Sequence, residues 1–324
     1  MRMYMVIAVF AFSLLLAGCN PNNEGPTGQM KTFIGGTEGV DIKYETGAPP
    51  KEVNTGDEFN VLVVLENKGE YTVPPEDYSV KLRGCSPPEF STSETALTVQ
   101  GSTVGEKLQA NEMNPDTGEV LESYPVFIDV PQEGPLQYKG NIAGNTQFPF
   151  RADVCYTYQT DANAKLCIKE DLTDTTDTEV CTISGPQAIT SSGAPIKISD
   201  FKEFSGGSDG VRFSFQVVSA GSSGDISAPG SDCSKQHNDE DKVRVTVSTG
   251  ISGLSCNGFI GDQQGGDGTY SGVIKLTSSS RQITCRQQIP EAQQSDYVKV
   301  IDINAEYDYR SSTSKKVLVK QVSQ

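Results

Sequence analysis

The sequence predicts an all-β protein of two tandem β-sandwich domains. Three observations lead there. Short runs of alternating apolar and polar residues recur along the chain, separated by Gly, Pro, Asn and Ser turn signals. No stretch sustains a helical period. Two long stretches also repeat at nearly one spacing. Phe150 to Lys169 returns as Ile301 to Lys320, so that Tyr156 and Tyr158 correspond to Tyr307 and Tyr309 at an offset of 151 residues. Asp57 to Gly69 returns as Asp209 to Gly221 at an offset of 152. Two matches at almost the same offset indicate a tandem duplication.

The 324 residues suffice for two domains that each bury a core. There are 42 acidic against 26 basic residues, a net charge of −16. Phosphate backbones repel such a chain, which argues against nucleic-acid binding.

At the start, Arg2 precedes an apolar run from Met5 to Ala17 that is too short to span a bilayer. Leu16-Ala17-Gly18-Cys19 follows, small residues just before a cysteine. The expectation is a signal peptide over 1–18, removed after Gly18, with Cys19 carrying a lipid. An uncleaved anchor or an ordinary secretory signal would put the rest of the chain in the same place, outside the cytoplasm. Residues 19–39, rich in Asn, Gly and Pro, read as a flexible tether.

The first domain is expected over 40–183. Val40, Ile42 and Tyr44 alternate; then Phe59, Val61, Val63 and Leu65; then Tyr78, Val80 and Leu82. A proline-bounded strand runs from Tyr124 to Val130. Phe150 to Lys169 reads as a closing two-stranded hairpin, because the polar patch Gln159 to Lys165 interrupts its apolar residues, with the turn near Asp161. Ser184 to Pro195 reads as the interdomain linker. The second domain, 196–324, repeats the plan through Val211 to Val217, Val243 to Val247 and a second hairpin near the end.

Gly56 to Val73 (GDEFNVLVVLENKGEYTV), with its turn at Asn67-Lys68-Gly69, resembles the early strands of CARDB-like domains. These are immunoglobulin-like sandwiches found in archaeal and bacterial surface proteins. The second copy departs from the pattern, with Ser219-Ala220-Gly221 at the turn. The lipobox-like start and the duplicated Tyr-x-Tyr stretches also resemble prokaryotic surface lipoproteins. The resemblance implies immunoglobulin-like modules at the outer face of the cell membrane, acting as spacers, adhesion modules or binding modules. It brings no catalytic residues.

Eight cysteines are present. Outside the cytoplasm, disulfides are the expectation for those beyond Cys19. A hairpin turning near Asp161 would set Cys155 opposite Cys167. Cys256 with Cys285, then Cys85 with Cys181, follow as pairings, leaving Cys233 over; the connectivity is not fixed by sequence. A lone histidine, His237, lies in a polar loop, which argues against zinc and against nucleophile–base chemistry. Asp171, Asp174 and Asp177 recur every third residue in a Thr-rich loop, a weak calcium pattern without EF-hand spacing, and Asp262 and Asp267 flank a glycine turn. The four tyrosines suggest either a sugar-stacking platform or sandwich core, and their parity with Val154 and Ala305 favours core. No cofactor motif is present. The favoured function is a non-catalytic, lipid-anchored surface protein displaying its modules to a protein or surface glycan. An accessory docking subunit of a membrane or secretion complex, and a hydrolase with an unfamiliar carboxylate site, stand as alternatives.

Overall fold

In a computed structural model, the structure describes residues 30–176, 180–221 and 224–322, the side chain of Asp262 apart. It is all-β, with antiparallel sheets packed as sandwiches. The first half supplies β1 (Val40–Tyr44), β2 (Glu52–Asn54), β3 (Glu58–Phe59), β4 (Leu62–Asn67), β5 (Tyr78–Arg83), β6 (Thr98–Gln100), β7 (Glu112–Met113), β8 (Val120–Leu121), β9 (Val126–Asp129), β10 (Leu136–Gln137) and β11 (Thr146–Ile168). The connecting stretch carries β12 (Gly185–Pro186) and β13 (Ile189–Ser191). The second half supplies β14 (Ile196–Ser205), β15 (Gly210–Ser219), β16 (Asp225–Ser227), β17 (Lys242–Ser248), β18 (Leu254–Asn257), β19 (Ile260–Gly266), β20 (Thr269–Lys275), β21 (Ser280–Gln288) and β22 (Tyr297–Lys320). The helical pieces among the described residues are one α-turn and two 3-10 turns.

The alternation read from sequence becomes burial. Val211, Phe213, Phe215 and Val217 of β15, and Val243, Val245 and Val247 of β17, are all fully buried. The duplication is visible in topology. One sheet runs β1-β4-β9 and its counterpart runs β14-β15-β21 within a larger set, with the echoed strands β4 and β15 in the middle of each.

The two expected hairpins do not form. Phe150 to Lys169 lies within one continuous 23-residue strand, β11, and the second copy within one 24-residue strand, β22. The reason is parity. From Phe150 through Ala152, Val154, Tyr156, Tyr158, Thr160, Ala162, Ala164 and Leu166 to Ile168, every second residue faces inward without a break. Gln159 to Lys165 contains no Gly or Pro to turn the chain.

Instead, β11 and β22 pair with each other antiparallel, from Thr146↔Val319 to Ile168↔Tyr297. Thr157 faces Asp308 in this ladder, and those two residues are 151 apart, the repeat offset itself. The ribbon therefore has a pseudo-twofold at its middle. Its consequence is a reciprocal exchange. The first half of β11 pairs with β5 in the amino-terminal lobe, while its second half, at Ala162 to Ala164, pairs with β13. The first half of β22 pairs with β17 in the carboxy-terminal lobe, while its end pairs in parallel with β2. Val317 and Val319 thus complete the amino-terminal core, and Leu166 and Ile168 the other; all four are buried in one connected core.

The four tyrosines lock this crossing and are core, not a stacking platform: none exceeds 5% exposure. Their hydroxyls repeat the symmetry. Tyr156 Oη accepts the Val40 N–H at 2.9 Å and Tyr307 Oη accepts the Ile196 N–H at 3.2 Å, each at the first residue of its strand, β1 and β14. Tyr158 Oη accepts the Tyr71 N–H at 3.4 Å and Tyr309 Oη the Gly224 N–H at 3.0 Å. Buried phenols without partners would cost about 1–3 kcal/mol each.

The expected flexible segments are pinned where they are described. Glu70 accepts the N–H groups of Ile34 and Gly35, both at 2.8 Å, and that of Gly193 at 2.5 Å, so one carboxylate ties the end of the presumed tether to the presumed linker. Residues 184–195 include β12 and β13, which pair with β14 and β11.

Candidate docking edge

In the carboxy-terminal lobe the sheet continues past β21 to β18, giving the order β12-β14-β15-β21-β18. Cys256 and Cys285, opposite each other in that pairing, are bridged, so the covering strand is stapled on. The amino-terminal sheet stops at β9, which has no second neighbour strand among the described residues. Its ladder with β4 fixes which groups face out. Val130 donates to the Val61 carbonyl at 3.0 Å, so the hydrogen-bonded pairs continue at Ile128 and Val126. Phe127 and Asp129 therefore direct their N–H and C=O groups to the open edge.

Exposed apolar side chains lie on the stretch of chain that leads into it. Val120, Leu121, Tyr124 and Phe127 are 40%, 55%, 51% and 52% exposed. Val120 and Leu121 sit on the β7–β8 hairpin, whose turn is closed by Asn114 N–H to the Glu119 carbonyl at 2.8 Å. Asn111 fixes the hairpin base: its side chain accepts the Ser123 N–H at 2.8 Å and donates to the Lys68 carbonyl at 3.0 Å. Between Asn111 and Gly134 the chain carries Glu112, Asp116, Glu119, Glu122, Asp129 and Glu133 and no Lys or Arg. The edge is apolar, anionic, rigidly held and short of one strand. Exposed edges of this kind add strands from other chains.

The cysteines are partly as expected. Cys256–Cys285 forms; the other two expected pairings do not. Cys155 bonds Cys233, Cys167 bonds Cys181, and Cys85 is the buried free thiol. The unturned β11 explains both corrections. Cys155 and Cys167 lie on one extended strand, about 40 Å apart at its usual rise. The strand also carries Cys167 and Cys181 into the far lobe, away from Cys85. Burial pushes the Cys85 thiol up to about 11. Three disulfides fit a chain that folds in an oxidising, extracytoplasmic compartment.

The calcium pattern resolves into turns. Asp171 accepts the N–H of Thr173 at 2.9 Å, and Asp174 that of Thr176 at 2.9 Å; Asp174 also meets the buried Lys169 ammonium at 3.4 Å. Asp177 and the lipidation candidate Cys19 lie outside the described residues, as does the Asp262 side chain. Asp267 holds a left-handed turn position beside Gly268. His237 is exposed on its loop. No group of three or more His, Cys, Asp or Glu able to hold a metal occurs among the described residues, and no helix among them is long and apolar enough to cross a membrane. The open edge was invisible to sequence reasoning because Val126 and Ile128 read like any strand. Only the comparison of the two copies reveals the missing neighbour. Comparison with protein-family models gives no match, and comparison with curated proteins gives none either.

Proposed function

We propose that the protein is a non-catalytic, membrane-tethered surface protein that docks an extended segment of a partner protein along β9. The observation that carries this reading is the unfilled edge of β9 beside a stapled, filled one in its own duplicate. The partner segment is apolar on the face that meets Leu121, Tyr124 and Phe127, and basic around it to answer the six carboxylates. Those three side chains are already about half buried, so covering the rest gains on the order of 1 kcal/mol each, before the cost of ordering the partner. The lipobox-like Leu16-Ala17-Gly18-Cys19 and the CARDB-like pattern of Gly56 to Val73 support a tethered module at the outer face of the membrane.

A defined peptide tests the docking. A ten-residue probe alternating Val with Lys is compared with one alternating Val with Glu, by hydrogen exchange at the Phe127 and Asp129 amides. The Lys peptide protects both amides, and Phe127→Lys abolishes that protection. Equal protection by both peptides, or none, refutes the docking edge. The tether is tested separately by lipid labelling of the full chain against Cys19→Ala; equal labelling removes the anchor and leaves the docking result standing.

A further inference from the structure

A second surface owes nothing to the β9 edge. At the ribbon's centre, on the face away from the tyrosines, Arg83, Arg151, Lys235 and Arg310 line one depression of about 440 Å³ with Asp153, Asp232 and Cys233. Four cations and two carboxylates line it, and Asp225, paired with both Arg310 and Lys235, lowers the positive excess to one in a chain of net −16. Its arginines are mounted in a particular way. The Asp153 carboxylate, 7% exposed, meets Arg83 Nε at 2.7 Å through one oxygen and Arg151 Nε at 2.7 Å through the other. Arg151 donates its Nε–H to Asp153 and Arg83 pairs with it as an ion pair, so the Nη atoms of both keep four N–H donors each, the planar fork that matches an oxyanion. Arg310 is already engaged. Its Nη2 lies 2.7 Å from Asp225 and its Nη1 bonds the Cys233 carbonyl at 3.4 Å, so it adds field rather than a contact. Lys235 is 64% exposed and 3.4 Å from Asp225.

The wall of the pocket is fixed before anything binds. Asp308, buried at the pseudo-twofold, accepts N–H groups from Gly230 at 3.1 Å, Ser231 at 2.7 Å and Cys233 at 3.4 Å, and the Thr157 hydroxyl at 2.9 Å. Cys233 is then bonded to Cys155 on β11. A second depression of about 510 Å³ adjoins the first and shares Cys233, Lys235 and Arg310 with it. Its lining carries hydroxyls at Ser219, Ser227, Ser234, Ser278 and Ser279 and carboxylates at Asp225, Glu240 and Asp241, all groups that hydrogen-bond polyol hydroxyls. Ser227 Oγ is buried there, at 3% residue exposure, with no hydrogen-bond partner. A buried orphan hydroxyl beside an open cleft is a place for a ligand's polar group.

We infer that this double cleft binds a phosphate or sulfate monoester of a small polyol. The oxyanion sits between the Nη forks of Arg83 and Arg151, and the polyol reaches Ser227 through the adjoining cleft. Calorimetric titration of the intact, oxidised protein tests this with glycerol 1-phosphate, inorganic phosphate and glycerol at constant ionic strength. Glycerol 1-phosphate binds at one site, several-fold tighter than inorganic phosphate, and glycerol alone gives no heat. Arg83→Gln with Arg151→Gln lowers the affinity at least tenfold. Ser227→Ala removes the preference for the ester over the free ion and leaves phosphate binding intact. Lys235→Gln, on an exposed side chain that cannot unsettle the fold, weakens binding two- to fivefold. Wild-type protein that shows no saturable heat with either anion, or binding unchanged in the double arginine variant and in Lys235→Gln, overturns the inference. An ester and free phosphate bound equally by wild type overturns the polyol half of it.

Discussion

Glu203 gives the sharpest quantitative test of the packing. It lies on β14, is fully buried, and points into the carboxy-terminal core where the exchanged end of β11 arrives. One carboxyl oxygen accepts the Cys167 N–H at 2.9 Å; the other has no partner. Burial pushes its pKa from 4.5 up to about 8. The folded protein therefore holds a proton at neutral pH that the unfolded chain has released. The contribution of Glu203 to stability is fullest below about pH 4.5, falls as pH rises, and levels off above about pH 8. At about 1.4 kcal/mol per pKa unit, the full loss across that window is on the order of 5 kcal/mol as an upper bound. Glu203→Gln keeps the shape and cannot ionise. The assay is urea unfolding at pH 5, 6.5, 8 and 9, comparing the two midpoints at each pH. Asp77, which burial also raises, contributes equally to both proteins and drops out of the difference. The variant matches wild type near pH 5 and gains on it steadily to pH 8. Parallel curves across the range would refute the claim that this carboxyl is neutral in the fold.

Two further expectations follow from the strand exchange. Non-reducing peptide mapping by mass spectrometry recovers Cys155 joined to Cys233 and Cys167 joined to Cys181; a Cys155–Cys167 peptide would mean that β11 turns back on itself. Gly69 packs against the crossing so closely that a Cβ there would lie 2.2 Å from Tyr158 Oη and 2.5 Å from the Gly193 carbonyl. Gly69→Ala is therefore expected to destabilise by about 1–3 kcal/mol, read from the urea midpoint, and a neutral result would show that the crossing can relax.

The sequence carried the strand class and the duplication because both are local: alternation sets which side chains face inward, and a repeat offset needs no structure to be seen. The tyrosines were legible for the same reason, since Tyr156 shares parity with Val154. The hairpins misled because polar residues such as Gln159 and Lys165 look like a turn, while the inward-facing Thr160, Ala162 and Ala164 between them are too small to read as core. That one choice between turning and continuing decided two disulfides. The Arg83–Asp153–Arg151 arrangement was out of reach for another reason. Arg83 lies on β5 and meets Asp153 only through the long-range ladder that pairs it with Arg151.

The crossing of β11 and β22 also sets an order of assembly. Val317 and Val319, which close the amino-terminal core, are carried by β22, the last of the described strands in chain order. The amino-terminal portion cannot finish until β22 has been synthesised, so its apolar seam stays wet until then. No cut near residue 184 yields two viable pieces: each fragment would lose the length of strand that seals it and keep an arm meant for the other.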